Sequence, residues 1–311
     1  MNLWAWAVFA ILVLAAVAFD LGLLSKSGTE QRTLSVRAAA IRSAGWIGLA
    51  LLFGIGIAAL YGRMAGLTYL TAYVLEESLS VDNIFVFVLI FSELRIPSQQ
   101  QRRVLLWGVL TALVLRGLLI GGGLFALSRF HWVVYPFAAL IIFAAVRLVW
   151  GQRKQREIVV AACSVCSTWV ARLIPITPVL SGNRFFVRQG RRLLATPLLV
   201  ALVIVETTDI VFALDSVPAV LAVTRDPFLV YTSNIFAMLG LRSLYFVLAG
   251  AVERFRYLRV GLAAILVFFG VRLLLSDVFE FPNSVSLGVI AASLGLAIAA
   301  SIKRPRVGSA T

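Results

Sequence analysis

The sequence predicts an all-α polytopic membrane protein of about nine transmembrane helices, organised by an inverted repeat of three helices that relates helices 3–5 to helices 6–8. Three observations predict it. Of the 311 residues, 61% are hydrophobic and 14% charged, with a mean hydropathy of +0.98, outside the balance expected of a water-soluble domain. The apolar residues fall into runs of ~20, the length a helix needs to cross a hydrocarbon core. Two stretches of the chain also align on each other, arginines included.

In chain order the runs lie at roughly 2–24, 43–62, 67–92, 104–128, 131–150, 195–224, 230–252, 257–276 and 283–302. In the first, Ala16-Val17-Ala18 imitates a signal-peptide cleavage site. The opening Met1-Asn2-Leu3-Trp4 lacks a basic residue, however, and the apolar run is too long, so a retained helix is expected. The net charge of +14 invites a nucleic-acid reading, which the placement of the charges opposes. Of 28 basic residues, 21 fall in the odd-numbered loops and the C-terminal tail, among them Arg254, Arg256 and Arg259 before helix 8. The even-numbered loops hold three: Arg63, Arg129 and Arg225. Positive residues stay on the cytoplasmic side, so the odd loops and C-terminus are expected inside and the N-terminus outside.

Helices 1 and 2 occupy 1–66, the first repeat unit 67–150, and the second 195–276; the last helix and basic tail take 277–311. Between the units, 151–194 is a basic cytoplasmic loop whose apolar piece, Ile158 to Leu180, is broken by charge and proline. An interfacial or re-entrant segment is expected there. Its Cys163 and Cys166 form a lone C-x-x-C without further donors and read as incidental thiols.

The repeat is clearest where Arg129-Phe130 through Val146-Arg147-Leu148 aligns without gaps on Arg254-Phe255 through Val271-Arg272-Leu273, an offset of 125. With single-residue gaps the alignment extends back to set Arg116 against Arg242, Asp82 against Asp209 and Phe85 against Phe212. Units of three helices in succession must enter the membrane with opposite orientation, an arrangement that places substrate sites at the interface between units.

Helix 3 carries Glu76, Glu77, Asp82 and Asn83, and helix 6 carries Glu206, Asp209 and Asp215, all within apolar spans. A charge at such depth costs at least ~2.5 kcal/mol, so each needs a partner, a proton or a metal. With Asp20 there are seven carboxylates, against Arg116, Arg147, Arg242 and Arg272 in the spans; one divalent cation and one proton would make up the difference. Glu76, Ser80 and Asn83 share one helix face at i, i+4 and i+7, with Asp82 on its flank and Glu77 between. Glu206 and Asp209 are i, i+3 neighbours, whereas Asp215 faces the other way on a straight helix. Pro218 is therefore expected to kink helix 6 beside Asp215, freeing the Leu214 carbonyl and adding Ser216 as a donor. Asn234 and Ser233 on helix 7 could reach the same cavity, and Asp226, Asp277 and Glu280 read as solvated. Oxygen donors of this kind suit Mn²⁺, Mg²⁺ or Ca²⁺. His131, at a helix end, and the remote cysteines do not supply a zinc, copper or haem site.

These motifs resemble the TerC family of bacterial integral membrane proteins, which includes Alx-type manganese exporters and proteins linked to tellurite resistance. The resemblance rests on Glu76-Glu77-Ser78-Leu79-Ser80-Val81-Asp82-Asn83-Ile84-Phe85, Gln101-Arg102-Arg103-Val104, Arg184-Phe185-Phe186-Val187-Arg188, Ala195-Thr196-Pro197-Leu198, the run from Glu206 to Ala219, and Thr232 through Arg242. It implies Mn²⁺ export from the cytoplasm through the inner membrane, with Glu76, Asp82, Asn83, Glu206, Asp209 and Asp215 as metal ligands or proton carriers. Glu77, Ser80, Arg116, Ser216, Asn234 and Arg242 are then charge partners or supporting side chains around them. One composite, asymmetric site is expected, since only Asp82 and Asp209 correspond between the halves. The expected partners are the bilayer, the transported cation and protons, without a resident cofactor or nucleic acid. A membrane scaffold, a metal-delivery partner of exported metalloproteins and a tellurite-resistance component are the competing readings. An intramembrane aspartic enzyme is disfavoured, because neither Asp82 nor Asp215 sits in a Gly-x-Gly-Asp context and no His-Glu-x-x-His occurs, so no enzymatic activity is expected.

Overall fold

The computed structural model describes residues 3–20, 36–149, 152–177, 182–189, 192–249, 257–276, 278–279 and 281–303, and these are helical almost throughout. Each of the nine apolar runs coincides with a helix: α1 (Leu3–Asp20), α2 (Val36–Tyr61), α3 (Arg63–Glu93), α4 (Ser98–Arg129), α5 (Val134–Val149, entered through a 3₁₀ turn at His131–Val133), α7 (Pro197–Leu221), α8 (Pro227–Leu248), α9 (Leu258–Leu274) and α10 (Asn283–Lys303). Five of them, α2, α4, α5 with its turn, α7 and α10, are long and apolar enough to cross a membrane on length and composition alone. Large apolar side chains such as Leu52, Ile55, Leu118, Phe125, Phe143 and Leu296 are exposed on their outer faces, a surface suited to lipid.

Local chemistry sets the joints. Gly62, at φ 93°, turns the chain between α2 and α3 in a conformation that a side chain would strain. Next to it, a Cβ on Gly66 would lie 2.5 Å from the Ala58 methyl, so the two helices meet backbone to backbone. Pro197 and Pro227 open α7 and α8, where the missing N–H removes no helical bond. The Asp226 carboxylate caps α8 by accepting from the Phe228 amide at 2.9 Å and the Leu229 amide at 3.2 Å, so Asp226 is a cap rather than a merely solvated charge.

The helices of the two stretches pack on one another in pairs. α3 lies against α8 as α4 lies against α7, and α5 packs on α9, where Gly270 meets Ile142 closely. α3, α8 and α9 bury more than half of their residues, while α2 and α10 bury few. The expected loop at 151–194 contains a further helix, α6 (Gln152–Leu173), and an antiparallel hairpin of β1 (Phe186–Gln189) and β2 (Arg192–Ala195), which hydrophobic patterning did not suggest. α6 buries Val159, Cys163 and Val170 against α3 and α7 and leaves Ile158, Val165, Trp169 and Leu173 exposed. Asp20, Asp277 and Glu280, singled out above, have side chains outside the described residues.

Candidate functional site

The expected single composite site is divided in two. α7 carries its acids on opposite faces, Glu206 and Asp209 towards α4 and Asp215 towards α3 and α5. On α3, Glu76 and Asn83 share a face yet are seven residues apart, a rise of ~10 Å that puts them at different levels. Among the described residues, no three His, Cys, Asp or Glu side chains come together as a metal-holding group.

The first network is centred on Arg116 of α4. Its Nη1 donates to Glu76 Oε2 of α3 at 3.0 Å, while Nε and Nη2 form a fork on Asp209 of α7 at 3.3 and 3.2 Å. Asn234 of α8 donates to the other Glu76 oxygen at 2.7 Å. The guanidinium thus joins three helices, and Asn234 ties in a fourth through Glu76; the Arg116 side chain is 3% exposed, against 1% for Glu76 and 5% for Asp209. The two carboxylates and one guanidinium leave one negative charge in excess if all are ionised. Beside this network, Glu206 accepts from the Thr111 hydroxyl and keeps its Oε2 buried without a hydrogen-bond partner. Glu77 hydrogen-bonds Tyr73 and lines an apolar crevice of about 500 Å³ between α2, α3, α8, α9 and α10.

The second network surrounds a small cavity of about 30 Å³ between α3, α5, α7 and α9, lined by Asp82, Asn83, Arg147, Asp215 and Ser216 among others. This is room for about one water-sized occupant. Arg147 of α5 donates to Asp215 at 2.7 Å, and Arg259 of α9 approaches Asp82 at 3.8 Å. Each arginine also stands over an aromatic ring, Arg147 over Phe212 at 5.9 Å and Arg259 over Phe85 at 4.8 Å. Those rings are the pair matched by the repeat alignment. Ser216 Oγ is buried with no hydrogen-bond partner. Ser80 and Arg242 are buried on α3 and α8.

Arg116 and Arg147 therefore act as the acid partners expected of them, but Arg272 does not: it donates to Ser286, Asn283 and the Val223 carbonyl. Arg259 takes the place left open. Charge counting assigned it to a loop, whereas it occupies the first turn of α9; the apolar run beginning at 257 was the signal that placed it inside a helix. Thr111 was also missed, since a threonine in an apolar run carries no distinguishing pattern. Pro218 falls in the last turn of α7, which stays helical to Leu221, and Asp215 reaches the second network from the helix face opposite Asp209. On α6, burial pushes the Cys163 thiol up to about 11, which opposes the thiolate that redox chemistry would use.

Comparison with known proteins gives a consistent relationship over nearly the whole chain. The family model described as Integral membrane protein TerC family matches residues 61–307. The membrane protein STKORF319 of Myxococcus xanthus is 48% identical over 97% of this chain and 92% of its own length. Alx of Escherichia coli (strain K12), which bears the provisional name of a membrane-bound redox modulator, is 41% identical over 92% of this chain and 90% of its own. A membrane protein of Rickettsia bellii is 35% identical over 97% and 98%. No solved structure matches significantly.

Proposed function

This chain belongs to the TerC family of integral membrane proteins, and on that premise we propose that it exports a divalent cation, Mn²⁺ first among the candidates, across the bacterial cytoplasmic membrane. One observation carries the reading: the 30 Å³ cavity lined by two carboxylates, one amide and one unpartnered hydroxyl, drawn from α3 and α7. Asp82, Asn83, Asp215 and Ser216 offer hard oxygen donors of the kind that suit Mn²⁺, Mg²⁺ or Ca²⁺.

The cation competes with the two guanidinium groups for those carboxylates. Arg147 gives up Asp215 and Arg259 moves from Asp82 as the metal binds, so the site exchanges one form of positive charge for another. A proton on either carboxylate opposes metal binding in the same way, which is the route by which we couple export to protons. The Arg116 network holds α3, α4, α7 and α8 in register while this exchange proceeds.

The deciding test is manganese tolerance and cytoplasmic manganese content in a strain lacking its own exporters, comparing the wild type with Asp82→Ala and Asp215→Ala at equal membrane abundance. The wild type should restore tolerance and both variants should not. Equal behaviour of all three would sink the transport site and favour a scaffold whose buried charges only fix helix packing.

A further inference from the structure

The segment between α5 and α7 carries chemistry that neither carboxylate network uses. Its helix α6 starts at Gln152, just after α5 ends at Val149. The chain beyond the other end of α6 is tied to the start of α7. There the Ala195 amide donates to the Pro175 carbonyl at 2.9 Å, and the Thr177 amide donates to the Ala195 carbonyl at 2.9 Å. The same bonds join α6 to the β1–β2 hairpin, since Ala195 closes β2. α5 with its turn and α7 are each long and apolar enough to cross a membrane. The apolar part of α6, Ile158 to Leu173, is shorter than the ~20 residues a crossing needs.

α6 also has two apolar faces. Val159, Cys163 and Val170 are buried in one cluster with Phe91 of α3 and Leu198 and Ala201 of α7. Around the helix from them, Ile158, Val165, Trp169 and Leu173 follow at i, i+7, i+11 and i+15, which puts them on one stripe. All four are exposed, Trp169 by 63% and Leu173 by 81%, and Phe186 and Leu193 of the hairpin are exposed as well. Positive charge accompanies this apolar surface. From 151 to 195 the sequence holds eight basic residues against one acid, Glu157, and Arg172, Arg184 and Arg192 are exposed. Glu93 of α3 acts on Cys163 across the buried face, which offsets only one more of those charges.

We propose that α6 and the hairpin are a docking surface for anionic phospholipid. A helix that begins beside the end of one spanning helix and finishes beside the start of another, without crossing, lies along the bilayer surface. Its exposed stripe then enters the boundary between headgroups and acyl chains, where a tryptophan is at home, and its arginines meet the headgroup phosphates. Apolar residues alone would suit any lipid or a protein partner. The excess of seven basic residues over acidic ones within the segment selects a negatively charged lipid surface. This surface is separate from the cation cavity and does not depend on the transport reading.

The test uses the purified full chain, stripped of lipid in a maltoside detergent, with Tm followed against added phosphatidylglycerol or phosphatidylcholine. A ligand that binds only the folded chain raises Tm in a saturable manner, and phosphatidylglycerol alone should do so. Arg172→Gln with Arg192→Gln should weaken the apparent affinity about fivefold for each arginine removed. Arg63→Gln with Arg129→Gln removes as much exposed charge outside the segment and should leave the affinity unchanged. In vesicles, phosphatidylglycerol brominated on its upper acyl carbons should quench the part of the tryptophan emission that Trp169→Phe removes. Equal stabilisation by both lipids, or equal losses in the two double variants, would overturn the proposal. So would Trp169 emission untouched by bromine, which would leave the stripe to a protein partner.

Discussion

The Arg116 network and the Asp82–Asp215 cavity both join carboxylates of α3 and α7 to arginines of other helices, yet they are built for different work. In the first, one guanidinium serves two acids and every member is almost fully enclosed. In the second, each acid has its own arginine, the Arg147 side chain is 31% and the Asp215 side chain 16% exposed, and a cavity remains between them. Enclosure suits the first to the part of a strut, and free volume suits the second to the charge exchange proposed for it.

The strongest way to break this contrast is Arg116→Leu. Removing the shared cation leaves Glu76 and Asp209 buried without compensation, which should cost about 3–5 kcal/mol and sharply lower the folded yield in membranes. A melting temperature like that of the wild type would show that the strut carries no load. Next in size, Asp215→Asn should abolish manganese tolerance while changing stability by about 1 kcal/mol or less, because the Arg147 it releases is 31% exposed and already stands over the Phe212 ring. Measured together by cell growth and thermal melting, the two variants separate fold from function; a matching loss of stability in both would merge the two regions into one.

Ser216→Ala sharpens the cavity's role at smaller cost. It should weaken apparent Mn²⁺ affinity about fivefold in vesicles, the worth of about one hydrogen bond, without lowering Tm. The smallest effect is expected at α6, outside both regions. With its thiol pushed up to about 11, Cys163 should resist maleimide labelling at pH 7 and react increasingly as pH rises towards that value, with manganese tolerance unchanged by Cys166→Ser. Fast labelling of Cys163 at neutral pH would instead give weight to the redox role in the name of the Escherichia coli relative.

Much of this arrangement can be read from the residues. Apolar runs marked nine of the helices, and acids within them marked both networks, because charge inside an apolar run is conspicuous whatever its partner. What escaped was distance along and around the helix axis. Glu76 and Asn83 share a face, so periodicity groups them, but periodicity does not weigh the rise that separates them. Asp215 looked misplaced opposite Asp209 and prompted a kink at Pro218; α7 in fact presents acids on two faces, to α4 and to α5, while Ile210, Val211 and Leu214 on the same helix are exposed. Arg259 was lost to a boundary: a long side chain in a first turn counts as loop when charges are tallied and reaches inward once the helix forms. The β1–β2 hairpin has strands of four residues each, too short for alternation to stand out.

The two arginine–phenylalanine stacks at the cavity have a consequence for how smoothly an ion could come and go. A guanidinium that released Asp82 or Asp215 into open hydrocarbon would be stranded, and the barrier would stop traffic. Here Phe85 and Phe212 each present a π face within reach of the departing charge, a resting place worth about 0.5–2 kcal/mol. Under the proposed export, the aromatic rings would serve as sidings: each lets a fixed cation step off the line while a mobile one passes, and then step back on.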